Sequence, residues 1–319
     1  MDVEVVRWAE LVVRAGSVSK ARTLVLTGRW RQVLHDAYAP AWVRDGVPLR
    51  VAALRLALPA GTVVSHRSAL WLHGVDVLDG VLDVTAPRGR RVLARPGLRV
   101  HSAAHPDDQV CDLDGLLVSS PARAVVDIAR SEPLVEAVAL GDAVLRSGTA
   151  TVDGLLAVLD AAGSLRGVRA ARLVVPHLEP RSESLMESRF RMRLVLGGVP
   201  RPQAQWDVYD DGGHVGRADL HLEGVVLEYD GREARLDRGV FVAERRRQTR
   251  IAETGVELRR FTSNDVYVRP AAAVCGEVLR AVRQAAARDR SGLRSGPDTL
   301  RRPRLSPPRT VSDQAAEAA

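Results

Sequence analysis

The residues best placed to do chemistry lie in the segment GRADLHLEGVVLEYDG, residues 216–231. It reads as two strands around a tight turn. Ala218, Leu220 and Leu222 alternate with Arg217, Asp219 and His221, so the two sets face opposite sides of a strand. With Glu223-Gly224 as the turn, Leu222 pairs with Val225. The same register sets Asp219 opposite Glu228, and Asp230 shares the face of Glu228. Like charges opposed across a sheet repel, and burial adds a desolvation cost to each ionised carboxylate. A divalent cation between them would reverse the sign, and hard oxygen ligands suit magnesium or manganese. Asp219 and Glu228 are therefore the expected metal ligands. The alternative is a solvent-facing acidic strip on an outer strand. The apolar run Val225, Val226, Leu227 argues against it, since such runs mark strands covered on both faces. Asp230 is either a further ligand or the residue that holds the turn into Gly231.

A fourth carboxylate, Glu187, lies on the helix expected over about 183–196 and could reach the sheet from above. It is also the last residue of Ser184-x-x-Glu187, a helix capping box, and it stands four residues before Arg191, a helical ion-pair spacing. Both readings stay open. Arg245, Arg246 and Arg247 open a basic stretch on a helix expected over about 240–254, beside the carboxylates. They are either phosphate-backbone contacts or a solvated helix face paired with Glu244 and Glu253. His221 is the nearest histidine to the carboxylates.

Other elements must position these groups. Residues 181–289 read as helix, three strands, helix, strand, helix. Residues 3–15 have helical spacing, Gly16 stops that helix, and Ser19 is expected to cap a second, shorter one that ends at Gly28. The stretch WRQVLHDAYAP reads as a hairpin turning near His35 and Asp36. Helix, turn, helix and a two-stranded wing make a minimal winged-helix pattern, with Lys20, Arg22, Arg29 and Arg31 as its nucleic-acid contacts. A small helical subdomain with a β-ribbon fits the pattern equally well. Between these ends come a helix over 49–58, another over His66–His73 capped by Ser65, and strands VLDVTAP and LRVHSA around a basic segment holding Arg88, Arg90 and Arg91. Those arginines extend the basic surface or belong to an exposed hairpin. A helix opens at Ser120-Pro121, and three more follow over about 133–146, 152–162 and 167–177. His66 and His73 read as packing and capping groups, since no third metal ligand is in view. The domains expected are 1–46, 47–178, 179–289 and a disordered tail over 290–319.

The chain has 319 residues, 46% of them hydrophobic and 4% aromatic, so aliphatic packing must dominate its cores. The net charge of +7, with Lys20 the sole lysine among 46 basic residues, favours an anionic partner such as nucleic acid. Cys111 and Cys275 are too few for a disulfide framework or a zinc site, which fits a reducing, cytoplasmic location. No apolar run is long enough to cross a membrane, and the acidic N-terminus lacks a signal-peptide pattern. A nucleotidyl or phosphoryl transferase would need a glycine-rich phosphate loop, and RSGTATVDG near 146–154 is a turn and cap instead.

Two resemblances add to this reading. A helix with Glu, then a strand pair carrying Asp and Glu-x, resembles the core of the PD-(D/E)XK nucleases. LEYDG followed by a basic helix and ELRRFTSNDV is similar to a subgroup near the very-short-patch-repair endonucleases, mostly a domain of unknown function. This resemblance covers about 181–285. GRWRQVLHDAYAP, VVSHRSALWLHG, VTAPRGRRV and SSPARAVVDIA resemble the AbiEi-type antitoxins of type IV toxin–antitoxin systems, over about 5–150. Together they imply a multidomain α/β protein: an N-terminal winged helix-turn-helix, a mixed α+β middle domain, and a C-terminal restriction-endonuclease-like αβββαβ domain. The Arg-, Ala- and Val-rich composition fits the actinobacterial chains that fuse two such halves. The first resemblance implies a metal-dependent DNA endonuclease with catalytic Asp219, Glu228, Asp230 and Glu187, and Mg or Mn as cofactor. The second implies a non-catalytic, DNA-binding regulator of its own operon with a cognate toxin as partner. The sequence departs from the nuclease pattern where Asp230 stands in the usual lysine position, and GREARLD lacks the histidine that related chains carry after DG. The antitoxin-like helix-turn-helix is short at its start.

Overall fold

The computed structural model describes residues 4–87, 89, 92–210, 212–231 and 238–290. Arg88, Arg90, Arg91 and the tail beyond Arg290 lie outside the described residues. The chain opens with α1 (Trp8–Ala15), α2 (Val18–Leu26), β1 (Trp30–Leu34) and β2 (Ala37–Pro40). Then come α3 (Val47–Ala57), β3 (Val63–Val64), α4 (His66–Leu72), β4 (Leu82–Ala86), β5 (Leu98–Ser102), β6 (Val110–Leu113), β7 (Leu116–Ser119) and α5 (Pro121–Ala129). The helices α6 (Leu134–Ser147), α7 (Val152–Ala161) and α8 (Val168–Arg172) follow. The last part runs α9 (Leu185–Leu196), β8 (Gln203–Asp210), β9 (Gly213–Leu222), β10 (Val225–Tyr229), α10 (Arg238–Glu253), β11 (Glu257–Phe261), α11 (Ser263–Tyr267) and α12 (Ala271–Arg290). This is a mixed α/β protein with several sheets. By its contacts it separates into two units, Met1–Ile128 with Thr149–Leu165, and Ala129–Gly148 with the chain from Arg166 on. Among the described residues, no helix is long and apolar enough to cross a membrane.

In the first unit, α1 is shorter than its spacing suggests. Val6 exchanges backbone hydrogen bonds with Tyr38 of β2, which holds the segment before α1 extended. Asp36, at φ +56 in the hairpin turn, caps α1 from a distance: its Oδ1 accepts the Trp8 N–H at 2.9 Å. Arg7 pairs with the same carboxylate. Ser17, not Ser19, caps α2 by accepting the Lys20 N–H. Val6, Leu11 and Ala21 form the small core beneath, with Trp8, Trp30 and Tyr38 around it.

The five-stranded sheet of this unit has the order β5-β4-β3-β7-β6. Of the two readings of the basic segment, the structure excludes a β4–β5 hairpin, because these strands pair in parallel. A further hairpin, not expected from the sequence, joins β6 to β7. Its turn residues, Asp114 (φ +52) and Gly115 (φ +77), are the Asp-Gly pair that a two-residue turn with both φ positive prefers. Polar groups are buried beside the sheet. His66, itself at φ +52, stacks on His101 with ring centroids 3.7 Å apart, and His101 Nε2 lies 2.8 Å from Asp83 Oδ1. Ser65 precedes α4 as expected but makes no side-chain cap; its Oγ bonds instead to His66 and Thr85. His73 Nε2 lies 2.9 Å from the Ser119 carbonyl, a packing role.

In the second unit the four-stranded sheet has the order β11-β10-β9-β8. β10 runs antiparallel to β9 and parallel to β11, with α10 as the crossover. Helices cover both faces. Phe190 and Leu194 of α9 and Val274 and Val278 of α12 pack on Leu220, Leu222, Val225 and Leu227. Ile251 of α10 packs with Val208, Ala218 and Val226 on the other side. This two-sided cover explains the unbroken apolar run of β10.

Helix α9 is seated on α6 by an ion pair with no solvent contact. Arg191 Nη2 donates to Asp142 Oδ2 at 2.8 Å, and both side chains are 0% exposed. Ser188 Oγ donates to the same oxygen at 2.7 Å, and the Glu179 N–H donates to Asp142 Oδ1 at 2.6 Å. Burial pushes the Asp142 carboxyl up to about 6, against the lowering effects of Arg191 and Ser188. Removing one partner of a buried pair leaves the other charge uncompensated, at a cost of about 3–5 kcal/mol, while an apolar pair of similar volume is often neutral. Asp142→Asn should therefore lower stability by about that amount in chemical denaturation at neutral pH. The double change Asp142→Leu/Arg191→Met should recover most of the loss.

Candidate functional site

The carboxylates meet where the sheet changes its pairing. The register of β9 and β10 is the expected one, Leu222 with Val225, and it continues to Leu220 with Leu227. Beyond that the ladder stops. Asp219 Oδ2 accepts the Tyr229 N–H at 2.6 Å, so a side chain replaces the next backbone acceptor. On β8, Gln205 lies between the pairs Ala204–Leu220 and Trp206–Ala218 and takes φ +55, in the left-handed region. This kink changes the face of the ribbon. Ala204 and Leu220 pack on the α9 side, while Trp206 and Ala218, two residues along each strand, join the cluster on the α10 side. Strict alternation would have kept Ala218 with Leu220. The strand junction thus lies at Asp219 and Gln205, with Asp219 pulled toward β10.

Glu228 is only 6% exposed and is held by two arginines. Arg247 of α10 donates to its Oε1 at 2.6 Å, and Arg260 of β11 donates to its Oε2 at 3.1 Å. Arg260 is the in-register partner of Glu228 in the parallel pair, so backbone geometry alone brings it to the carboxylate. Glu187 carries out half of the expected capping box. Ser184 Oγ accepts the Glu187 N–H, but Glu187 Oε2 accepts from the Glu183 N–H, one residue before the cap. The same Oε2 accepts from Gln205 Nε2 at 2.8 Å, which ties α9 to the kink in β8. Arg191, the helical partner considered for Glu187, turns instead to Asp142. Asp230 follows β10, and its N–H donates to the Phe261 carbonyl at 2.7 Å, extending the ladder with β11.

Electrostatically Asp219 feels both of its carboxylate neighbours. Burial, reinforced by the charges of Glu187 and Glu228, pushes the Asp219 carboxyl up to about 7. The Tyr229 N–H and Arg247 oppose the shift. His221 stacks on Trp206 with centroids 4.1 Å apart, and its Nε2 accepts the Gly224 N–H. Burial lowers its pKa to about 4, so it is a neutral turn-closing group at physiological pH. A magnesium or manganese ion needs several carboxylate lone pairs turned to one point. Here the Glu228 oxygens face arginines, and Asp219 and Glu187 each turn an oxygen to protein donors. Among the described residues, no group of three or more His, Cys, Asp or Glu could hold a metal ion. As folded, the donor set does not fit the cation expected from its sequence.

The expected nucleic-acid contacts divide in two. Lys20 and Arg22 on α2, Arg29 before β1, and Arg245 and Arg246 on α10 are exposed. Arg31 is half-buried, and its Nη2 donates to the Val43 carbonyl at 2.7 Å, which anchors the chain after the hairpin. Arg247 and Arg250 of α10 turn to carboxylates of the sheet instead; the latter holds Asp210 with two hydrogen bonds of 2.6 and 2.8 Å. Sequence reasoning missed Arg260 and Gln205. Neither carries a signal at the level of sequence, because strand order and the positive φ at Gln205 are tertiary facts.

The Asp219 shift has a consequence with a definite sign. The folded carboxyl titrates near 7 and its ordinary value is 3.8, so the folded chain holds a proton that the unfolded chain has released. The stability this contributes is complete below about pH 4 and is lost as pH rises through about 7. Asp219→Asn keeps an oxygen for the Tyr229 N–H and cannot ionise. Its advantage over the parent should reach about 4 kcal/mol at about pH 8 and close toward about pH 4, at about 1.4 kcal/mol per pH unit. Denaturation across that range checks it.

Over residues 47–176 the chain matches the family model described as AbiEi antitoxin C-terminal domain. It is 28% identical over 223 residues to the uncharacterized proteins Rv2248 and MT2308 of Mycobacterium tuberculosis, covering 69% of this chain and 82% of each relative. Among solved structures it is similar to the RV2827C protein from Mycobacterium tuberculosis, with a TM-score of 0.38 and 19% identity over 64% of this chain and 83% of that one. What the comparisons establish is likeness to the AbiEi antitoxin C-terminal domain across residues 47–176.

Proposed function

We propose that this chain is a non-catalytic, DNA-binding regulator of antitoxin type, which represses its own operon and has a cognate toxin as its partner. The observation that carries this reading is the antitoxin-domain match over 47–176. The helix–helix–hairpin that precedes the matched span supports it, since α2 exposes Lys20 and Arg22 and the turn into β1 exposes Arg29. Cations there suit phosphate contacts, which position a protein on the duplex and weaken steeply with salt. The net charge of +7 works in the same direction. In this reading α1 and α2 with the β1–β2 hairpin form the winged helix, and the second unit is a nuclease-like fold used for its surface.

Binding of the full chain to duplex from upstream of its own gene, measured by anisotropy over a salt series, tests the proposal. Lys20→Ala/Arg22→Ala should weaken binding to every duplex alike and reduce the salt slope by about one for each phosphate no longer neutralised. Arg31→Ala should leave the slope unchanged and lower thermal stability, because its guanidinium anchors Val43. Absence of salt-dependent binding by the parent would sink the regulator reading.

A second reading, a metal-dependent DNA endonuclease using Asp219, Glu228, Glu187 and Asp230, is favoured by one observation. The mutual crowding of Glu187, Asp219 and Glu228 adds to burial in raising the Asp219 carboxyl to about 7. Supercoiled and linear DNA incubated with magnesium, manganese or chelator discriminates the two. Metal-dependent cleavage that disappears in Glu228→Ala would establish the enzyme. Binding without cleavage is the result expected of the regulator.

A further inference from the structure

We propose that Arg247 and Arg260 are permanent counter-ions of the carboxylate cluster and take the place of a divalent cation, so that this strand junction is a metal-free structural site. This role is independent of whether the chain represses an operon. Glu228 is a buried carboxylate with both oxygens committed to guanidinium donors from different elements. Two opposite charges and two charge-assisted hydrogen bonds supply what a buried carboxylate requires. A cation at the same oxygens would have to displace one arginine and approach the other against its charge.

The clamp is built into the backbone. Arg260 reaches Glu228 because the two are register partners across β10 and β11. Arg247 reaches it along a path that the fold keeps clear. A Cβ added at Gly216 of β9 would lie 3.0 Å from Arg247 Cδ and 3.3 Å from its Nη1. A residue without a side chain lets the arginine stem cross β9 at that point. Arg250, one turn on, fixes the same helix to Asp210 at the far end of β8. The remaining carboxylates are directed to protein donors as well, Asp219 to the Tyr229 N–H and Glu187 to the Glu183 N–H and Gln205. Cations thus come to the carboxylates from the neighbouring strand and the crossover helix, while Asp230 occupies the position after Glu-x, directly beyond the end of β10.

The experiment is a manganese titration of the full chain, followed by the electron spin resonance of free Mn2+, with the melting temperature recorded at each concentration. The parent is expected to show no saturable site and no rise in melting temperature. The Arg247→Gln/Arg260→Gln protein keeps side chains of similar reach without the charge. It should gain a saturable Mn2+ site and a metal-dependent rise in melting temperature, both lost when Asp219→Asn is added. A stoichiometric Mn2+ site in the parent that Glu228→Gln removes would overturn the proposal. So would a folded double variant that gains no site. If the double variant fails to fold, the parent titration and single Arg260→Gln decide by the same criteria. DNA binding is read separately, so failure here leaves the regulator reading standing and failure there leaves the clamp standing.

Discussion

The buried pair of Arg191 and Asp142 is the interaction on which the second unit depends. A guanidinium with no solvent contact tolerates its position only because Asp142 answers it, and Asp142 in turn accepts from Ser188 and the Glu179 backbone. These contacts bind α6, α9 and the segment around Glu179 into one body, with Glu136 and Arg189 adding a second pair along the same helices. Helix α9 must then lie across the sheet where it does. Its apolar side supplies Phe190 and Leu194 to the core, and its first turn brings Glu187 to Gln205 and the kink in β8. A charge pair deep inside one helix contact therefore determines the position of a carboxylate at another.

At the strand junction Asp219, Glu228 and Glu187 each have protein donors of their own. Asp219 ends a ladder by offering its carboxylate to a backbone N–H, an arrangement that costs the sheet one pairing and gains a charge-assisted bond if ionised. Glu228 is neutralised by arginines, and Glu187 caps its own helix. Each acid has a local structural role, so retention of facing carboxylates is not by itself a sign of catalysis. The opposed acids that suggest a nuclease in the sequence are the same residues that make the contacts where the β9–β10 ladder ends.

Much of the architecture is legible in the sequence. The order of the strands and long helices from α9 to α12, short α11 apart, the Leu222–Val225 register and the hairpin at His35 and Asp36 follow from period, turn residues and caps. The differences have local causes. Helical spacing at Val5 and Trp8 suggests a longer first helix, whereas Val6 is committed to Tyr38 and Asp36 caps the helix at Trp8. The β6–β7 hairpin does have a local signal in Asp114-Gly115, but the strands on either side are only four residues each, too short for a clear alternation. The strands β4 and β5 resemble a hairpin because a short basic segment joins them, yet they run parallel.

By itself the sequence determined most of the helices and strands, the turns at His35-Asp36 and Glu223-Gly224, and that Asp219 and Glu228 belong to opposed strands. These depend on side-chain period and on turn chemistry a few residues long. It also carried the antitoxin-like motifs that the family match covers over 47–176. Only the tertiary structure decided which cations meet the cluster. Arg260 stands beside Glu228 because β11 is its parallel neighbour, and Arg247 reaches it because α10 crosses behind the sheet over a bare glycine. Both facts depend on strand order and helix placement, across 32 residues of chain for Arg260 and 19 for Arg247. A period-two reading of one strand contains no information about which cation the next strand will bring.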